Sequence, residues 1–283
     1  MRPPVIIVGA HRSGTTATAR ALELLGLQLG QKLDSHRESK ALQRLHEDYL
    51  QRFSASWHHP QALIDALNDG AAADECASYL RAAKTARFAK VFGYRRDLKG
   101  WWLRRSLKRG KPWGWKEPRA TLFARPWLRV FPDARFVHVV RNPLAVALSI
   151  RQRELRFRNA GDQPTPDLDR LEYCLRLALT YVDAGETVRE FTPHYLRLRF
   201  ESLQTSPRET LRELAEFSFL RPSEKEIARA AASIHPISTP TLSASDIEAV
   251  APMRDSLRAL GYDLPVREQE WDKRELIPPT DPL

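Results

Sequence analysis

Short continuous apolar runs alternate along this chain with stretches whose apolar positions recur at helical spacing. The run PVIIVGA, Pro4 to Ala10, is rich in β-branched residues and predicts a strand buried on both faces of a parallel sheet. A Gly, Ser and Thr cluster follows. The chain then takes a helical pattern in which Leu22, Leu24 and Leu25 give the apolar bulk and Gly26 the C′ stop. Leu42, Leu45, Tyr49 and Leu50 recur at steps of three and four, predicting a helix from Glu38 to Phe53. FAKVFGY (Phe88 to Tyr94), WGWKEP (Trp113 to Pro118), FVHVVRN (Phe136 to Asn142) and YLRLRFE (Tyr195 to Glu201) read as further buried strands. NAGDQPTPD (Asn159 to Asp167) reads as an exposed loop and Leu168 to Glu190 as a long helix. Towards the C-terminus, Ser206 with Glu209, aided by Pro207, and Ser223 with Glu226 form two capping boxes. The alternation predicts an α/β fold: a doubly wound, mainly parallel sheet flanked by helices, binding ligands at the carboxyl ends of its strands. The loops after Val8, after Val140 and near Lys116 are then expected to share one crevice.

With 283 residues, 42% of them hydrophobic and 28% charged, the chain can bury a core as one or two compact units. No apolar run approaches the roughly 18 residues of a spanning helix, and the start MRPPVIIVGA lacks the features of a signal peptide. Cys76 and Cys174 are too few for a disulfide framework or a thiolate metal site, so a reducing, cytoplasmic location is expected and no metal. The net charge of +10 is local. Arg81 to Arg119 holds 14 basic residues against Asp97 and Glu117, leaving a slight negative balance elsewhere. Such a stripe either attracts anions or forms a solvated basic helix face.

Gly9, Ala10, His11, Arg12, Ser13, Gly14, Thr15 and Thr16 follow a strand and open a helix, so backbone N–H groups and the positive helix end can converge on one anion. The spacing G-x-x-x-x-G fits a nucleotide-binding P-loop, but Thr15 stands where that pattern requires Lys. The strand FVHVVRN ends in Arg141, not in an Asp that would help hold Mg²⁺. The loop therefore suits a nucleotide whose charge is met by Arg and Lys alone.

Taken in order, GAHRSGTT, WGWKEPR, VVRNPLAVALS and LRLRFESLQTSP resemble the sulfotransferases that use 3′-phosphoadenosine 5′-phosphosulfate (PAPS), the KEP element matching bacterial and tyrosylprotein members. The resemblance implies a P-loop-NTPase-like sulfotransferase fold across 1–283 as a single domain. Residues 1–220 would carry the PAPS motifs and 221–283 would be a helical extension. It implies that His11, Arg12, Ser13, Gly14, Thr15 and Thr16 hold the 5′-phosphosulfate. Arg141 and Ser149, eight residues apart, would hold the 3′-phosphate. Lys116, with Arg12, would reach the sulfuryl or bridging oxygens; read by itself, Lys116 is either a strand-end cation or a surface lysine of the stripe. The chain departs from cytosolic members at Ala17, where they place an aromatic residue, at Phe200 in place of Tyr, and at Pro118 in place of the catalytic His. It also lacks their Gly-rich Lys motif, so the adenine contacts are left unassigned.

An attacking acceptor must lose a proton. By resemblance Glu38 is the base; by its position alone it is a favourable first-turn acid. His36 and His46 are lesser candidates. Trp101, Trp102, Trp113 and Trp115 form either a sugar-stacking wall or part of the core. Sulfuryl transfer from PAPS to a hydroxyl or amine on a small-molecule, glycan or lipid acceptor is the leading reading, with no nucleic acid partner expected. A nucleotide kinase or ATPase, and a non-catalytic polyanion-binding protein, are the alternatives.

Overall fold

A computed structural model describes residues 2–92, 105–161, 163–235 and 242–265. Its centre is a four-stranded, wholly parallel sheet of β1 (Val5–Val8), β2 (Gly114–Lys116), β3 (Arg135–Val140) and β4 (Tyr195–Arg199), ordered β2-β1-β3-β4. Every residue of β1 is buried because the sheet is covered on both sides. Ile6 and Val8 join one core cluster and Val5 and Ile7 the other, so a period-two strand reads as an uninterrupted apolar run. Each such side chain withdrawn from water contributes on the order of 2 kcal/mol before the entropy of ordering is subtracted.

The helices are α1 (Thr15–Leu24), α2 (Lys40–Gln51), α3 (Gln61–Asn68), α4 (Gly70–Phe92), α5 (Ala124–Val130), α6 (Pro143–Asn159) and α7 (Leu171–Glu186). They continue with α8 (Phe200–Thr205), α9 (Pro207–Phe217), α10 (Glu224–Ala232), α11 (Ala244–Val250) and α12 (Arg254–Ala259). Among the described residues no helix is long and apolar enough to cross a membrane.

Three expectations are corrected. The strand expected over Phe88 to Tyr94 is, as far as Phe92, the end of α4: this alanine-rich segment continues helically, and 93 and 94 lie outside the described residues. Ser206 makes no side-chain cap. It joins α8 directly to α9, and its carbonyl accepts both the backbone N–H (3.1 Å) and the hydroxyl (2.9 Å) of Thr210. Ser223 and Glu226 do form their capping box, and Ser243 with Asp246 forms another that the sequence reading passed over. Finally, α2 begins at Lys40 with Ser39 as N-cap, so Glu38 precedes the helix instead of lying in its first turn.

The chain runs from β1 outward to β2 and then crosses to β3 on the opposite side. The carboxyl end of β1 is therefore the switch point of the sheet, where two outgoing loops diverge and leave a crevice.

Candidate active site

The loop from Gly9 to Gly14 fills that switch point. Gly9 (φ 139°) donates its N–H to Thr121 Oγ1 at 2.9 Å, and a Cβ on it would stand 2.4 Å from the Val139 carbonyl oxygen. Arg12 is left-handed at φ 71°, a strained placement for a residue with a Cβ. Gly14 (φ 101°) occupies the N-cap position of α1, which has no side-chain cap, so the first amides of the helix are free to face an anion. The Phe200 ring lies directly against Gly14: a Cβ there would sit 2.1 Å from it. Gly14→Ala is therefore expected to cost about 2 kcal/mol or more, from positive φ and collision together. Urea unfolding measures this, and an unchanged midpoint would show that the loop has room for a methyl group.

One cleft, with a volume of about 470 Å³, is lined by His11, Arg12, Gly14, Thr15, Thr16, Glu38, Lys116, Arg141 and Ser149 among others, so all the expected site residues except Ser13 face it. Ser13 is buried beneath the loop, its Oγ without a protein partner. Arg12 Nε donates to Ser149 Oγ at 3.0 Å, tying the loop to α6. Arg141 Nη1 donates to the Arg12 carbonyl at 3.3 Å, and its guanidinium stands 5.8 Å from the centre of the Phe200 ring. The ring retained at Phe200 thus supports both Gly14 and Arg141. Glu201 holds the start of α6 by accepting from the Asn142 N–H at 2.8 Å, and Tyr262 donates to its other oxygen at 3.2 Å.

Lys116, at the end of β2, is 3% exposed, which excludes the surface-lysine alternative. Its ammonium donates to Thr16 Oγ1 (3.2 Å), to the His36 carbonyl (3.1 Å) and, in a close ion pair, to Glu38. Glu38 is 6% exposed and also accepts from Gln43 Nε2 at 2.7 Å. Lysine, loop threonine and carboxylate thus form one connected unit.

Burial lowers the hold of Arg12, Arg141 and Arg153 on their protons. Arg156 lowers Arg12 further, and Arg12 acts likewise on Arg141 and Arg153, while Glu201 offsets part of the effect on Arg141. Three crowded, partly desolvated cations make this cleft strongly positive. His11 adds none: burial, then Arg119, pushes it well below 6.5, and its ring packs 4.6 Å from Trp57 and 6.2 Å from Tyr181.

Other candidates lie elsewhere. His46 is wholly buried; its Nε2 accepts from Trp127 Nε1 at 3.0 Å and its Nδ1 donates to Glu117, so no ring nitrogen is left to act as a base. His36 is exposed and serves through its carbonyl. Trp113 and Trp115, 2% and 1% exposed, are core residues packed around Phe131, not a sugar wall; Trp101 and Trp102 lie outside the described residues. Glu117 and Arg119 bond each other at 2.7 Å, and Arg119 also reaches Glu47 at 2.8 Å. Sequence reasoning missed Trp57 and Arg153. The usable signal was that Arg153 stands four residues after Ser149, on the same helix face.

A parallel α/β sheet with a phosphate loop at its switch point and a buried lysine beside it places the protein among group-transferring enzymes of the P-loop-like class. The sulfotransferase family model matches residues 3–221, and the chain belongs to that family; it is a sulfotransferase. Sulfotransferase STF9 from Mycobacterium avium superposes with a TM-score of 0.53 at 17% identity, over 95% of this chain and 79% of that one. The sulfotransferase domain of the Synechococcus PCC 7002 olefin synthase is 20% identical, with a TM-score of 0.49 over 93% of this chain and 96% of that one. These likenesses are of fold. No curated protein matches the sequence.

Proposed function

We propose that the enzyme takes its sulfuryl group from PAPS and delivers it to a hydroxyl or amine of a small-molecule, glycan or lipid acceptor, the chain acting as one catalytic domain. Arg12 through Thr16 hold the 5′-phosphosulfate, and Arg141 with Ser149 holds the 3′-phosphate. The acceptor oxygen or nitrogen attacks sulfur as the S–O bond to the 5′-phosphate breaks, and the acceptor proton passes to Glu38. Charge that gathers on the departing phosphate is met by Lys116, Arg12 and the α1 amides, held in place beforehand. The observation that carries this reading is the ammonium of Lys116 bonded at once to Thr16 of the loop and to Glu38. Donor-end cation and acceptor-end base are thereby neighbours.

Calorimetric titration with 3′-phosphoadenosine 5′-phosphate (PAP) is expected to show binding in the absence of Mg²⁺. No heat with PAP, together with binding of Mg²⁺-ATP, would replace the reading with a P-loop kinase. Arg141→Ala is expected to weaken PAP by about tenfold to a hundredfold, as loss of a charge-assisted phosphate contact does. Adenosine 5′-phosphosulfate, lacking the 3′-phosphate, should be indifferent to that substitution.

A further inference from the structure

Arg153 lies one turn beyond Ser149 on α6 and lines the cleft that Arg12, Lys116 and Arg141 share. Its guanidinium stands 5.2 Å from the centre of the Trp57 ring and 5.8 Å from that of Phe157, which is 45% exposed. Its Nε is buried with no hydrogen-bond partner. Neighbouring Glu154 offsets part of its charge but is not bonded to it, its Oε1 accepting from the Thr165 N–H at 2.7 Å and from Arg158 Nε at 3.4 Å. Arginine presents five donors in a planar fork, and the faces of aromatic rings attract its charge without accepting those donors in their plane. The other cations of the cleft are engaged: Lys116 with Glu38, Arg119 with Glu117 and Glu47, Arg12 with Ser149, Arg141 with the Arg12 carbonyl. Arg153 differs from these four in having both its guanidinium against rings and its Nε without an acceptor. Trp57 and the neutral His11, which lines the cleft, pack against each other beside it as an aromatic, uncharged pair.

A partly buried cation without an acceptor is costly unless a ligand supplies one. Both donor phosphates already have their receivers in the reading above, on which this inference rests. We propose that Arg153 and Trp57 form an acceptor subsite for an oxyanion, so that the acceptor carries a carboxylate or similar anionic group in addition to the hydroxyl or amine that is sulfated. The fork receives the oxyanion, and the carbon frame of the acceptor lies along Trp57. Nothing covalent happens there: the subsite fixes which molecule stands before Lys116 and Glu38.

The test uses the full chain saturated with PAP, so that donor anion sites are occupied, titrated calorimetrically with 3-(4-hydroxyphenyl)propanoate and with its primary amide. The carboxylate is expected to bind about tenfold or more tightly than the amide, and Arg153→Gln to erase that preference while PAP affinity stays within about threefold. Arg153→Lys, which keeps the charge but loses the fork, is expected to fall between, and carries the test if the glutamine variant does not fold. Equal binding of carboxylate and amide to the natural enzyme, or a preference that survives Arg153→Gln, overturns the subsite. A tenfold loss of PAP affinity in Arg153→Gln reassigns the arginine to the donor and also overturns it. Failure of the natural enzyme to bind PAP is a separate result, one that removes the donor reading itself.

Discussion

Lys116→Met is expected to lower sulfuryl transfer by about a thousandfold or more while PAP affinity changes by less than about tenfold. The asymmetry follows from where charge develops. In the resting site the ammonium is already balanced by Glu38 and bonded to Thr16 and His36, so it adds little to ground-state binding. As the S–O bond breaks, the leaving oxygens gain charge beside a cation fixed in a buried site, and that interaction strengthens only then. Methionine keeps the volume and the apolar stem. It also strands Glu38, a buried carboxylate deprived of its counter-ion, which is destabilising by itself. Steady-state kinetics on the single variant would thus mix two effects. Comparing Lys116→Met/Glu38→Gln with Glu38→Gln alone, in which the base is already gone, separates them: thermal stability should largely recover while transfer stays well below that of the Glu38→Gln variant. Recovery of activity along with stability would mean that Lys116 merely holds the fold.

The sequence made legible those parts whose signal is local. A strand buried on both faces reads as a near-continuous apolar run, so β1 and β3 stood out, as did the loop whose glycines accommodate positive φ and the close approach of Phe200; β4, at the sheet edge, is only partly buried, with Leu198 alone fully inside, which corrects the expectation of a buried strand there. Arg141 and Ser149 were assigned through resemblance, and the offset between a strand end and the second turn of its helix brings both to the one cleft. What escaped depends on tertiary contact. The C-terminal end of α4 carries aromatic and β-branched residues at strand-like density, yet the alanines upstream propagate the helix through it. His46 looked like any lone histidine until Trp127, distant in the chain, was seen to occupy its second nitrogen. Trp57 and Arg153 are separated by nearly a hundred residues and meet only because α6 packs beside the loop before α3. Separation in the chain likewise explains why Glu38 and Lys116, 78 residues apart, were each assigned only through resemblance and why their pairing was not foreseen.

Glu117→Gln should be the most destabilising conservative change near the site, by about 3 kcal/mol at neutral pH, although Glu117 does not line the cleft. Its carboxylate is wholly buried between His46 and Arg119. Burial pushes its pKa up, but the His46 and Arg119 partners outweigh that and bring it from 4.5 to about 2. A depressed folded-state pKa means that the unfolded chain takes up the proton first. The stabilisation is therefore complete above the unfolded value near 4.5, declines as pH falls, and is gone below about 2. Glutamine cannot satisfy both partners, because its amide presents N–H towards one of two donors. Since β2 carries Lys116 immediately before this residue, loosening the buried pair also loosens the lysine, and activity should fall with stability. Urea unfolding of both proteins from pH 7 to pH 3 provides the check: the gap between them should be widest at pH 7 and narrow below pH 4.5. A gap independent of pH would show that the loss comes from packing, and that the buried carboxylate carries no net charge stabilisation in the fold.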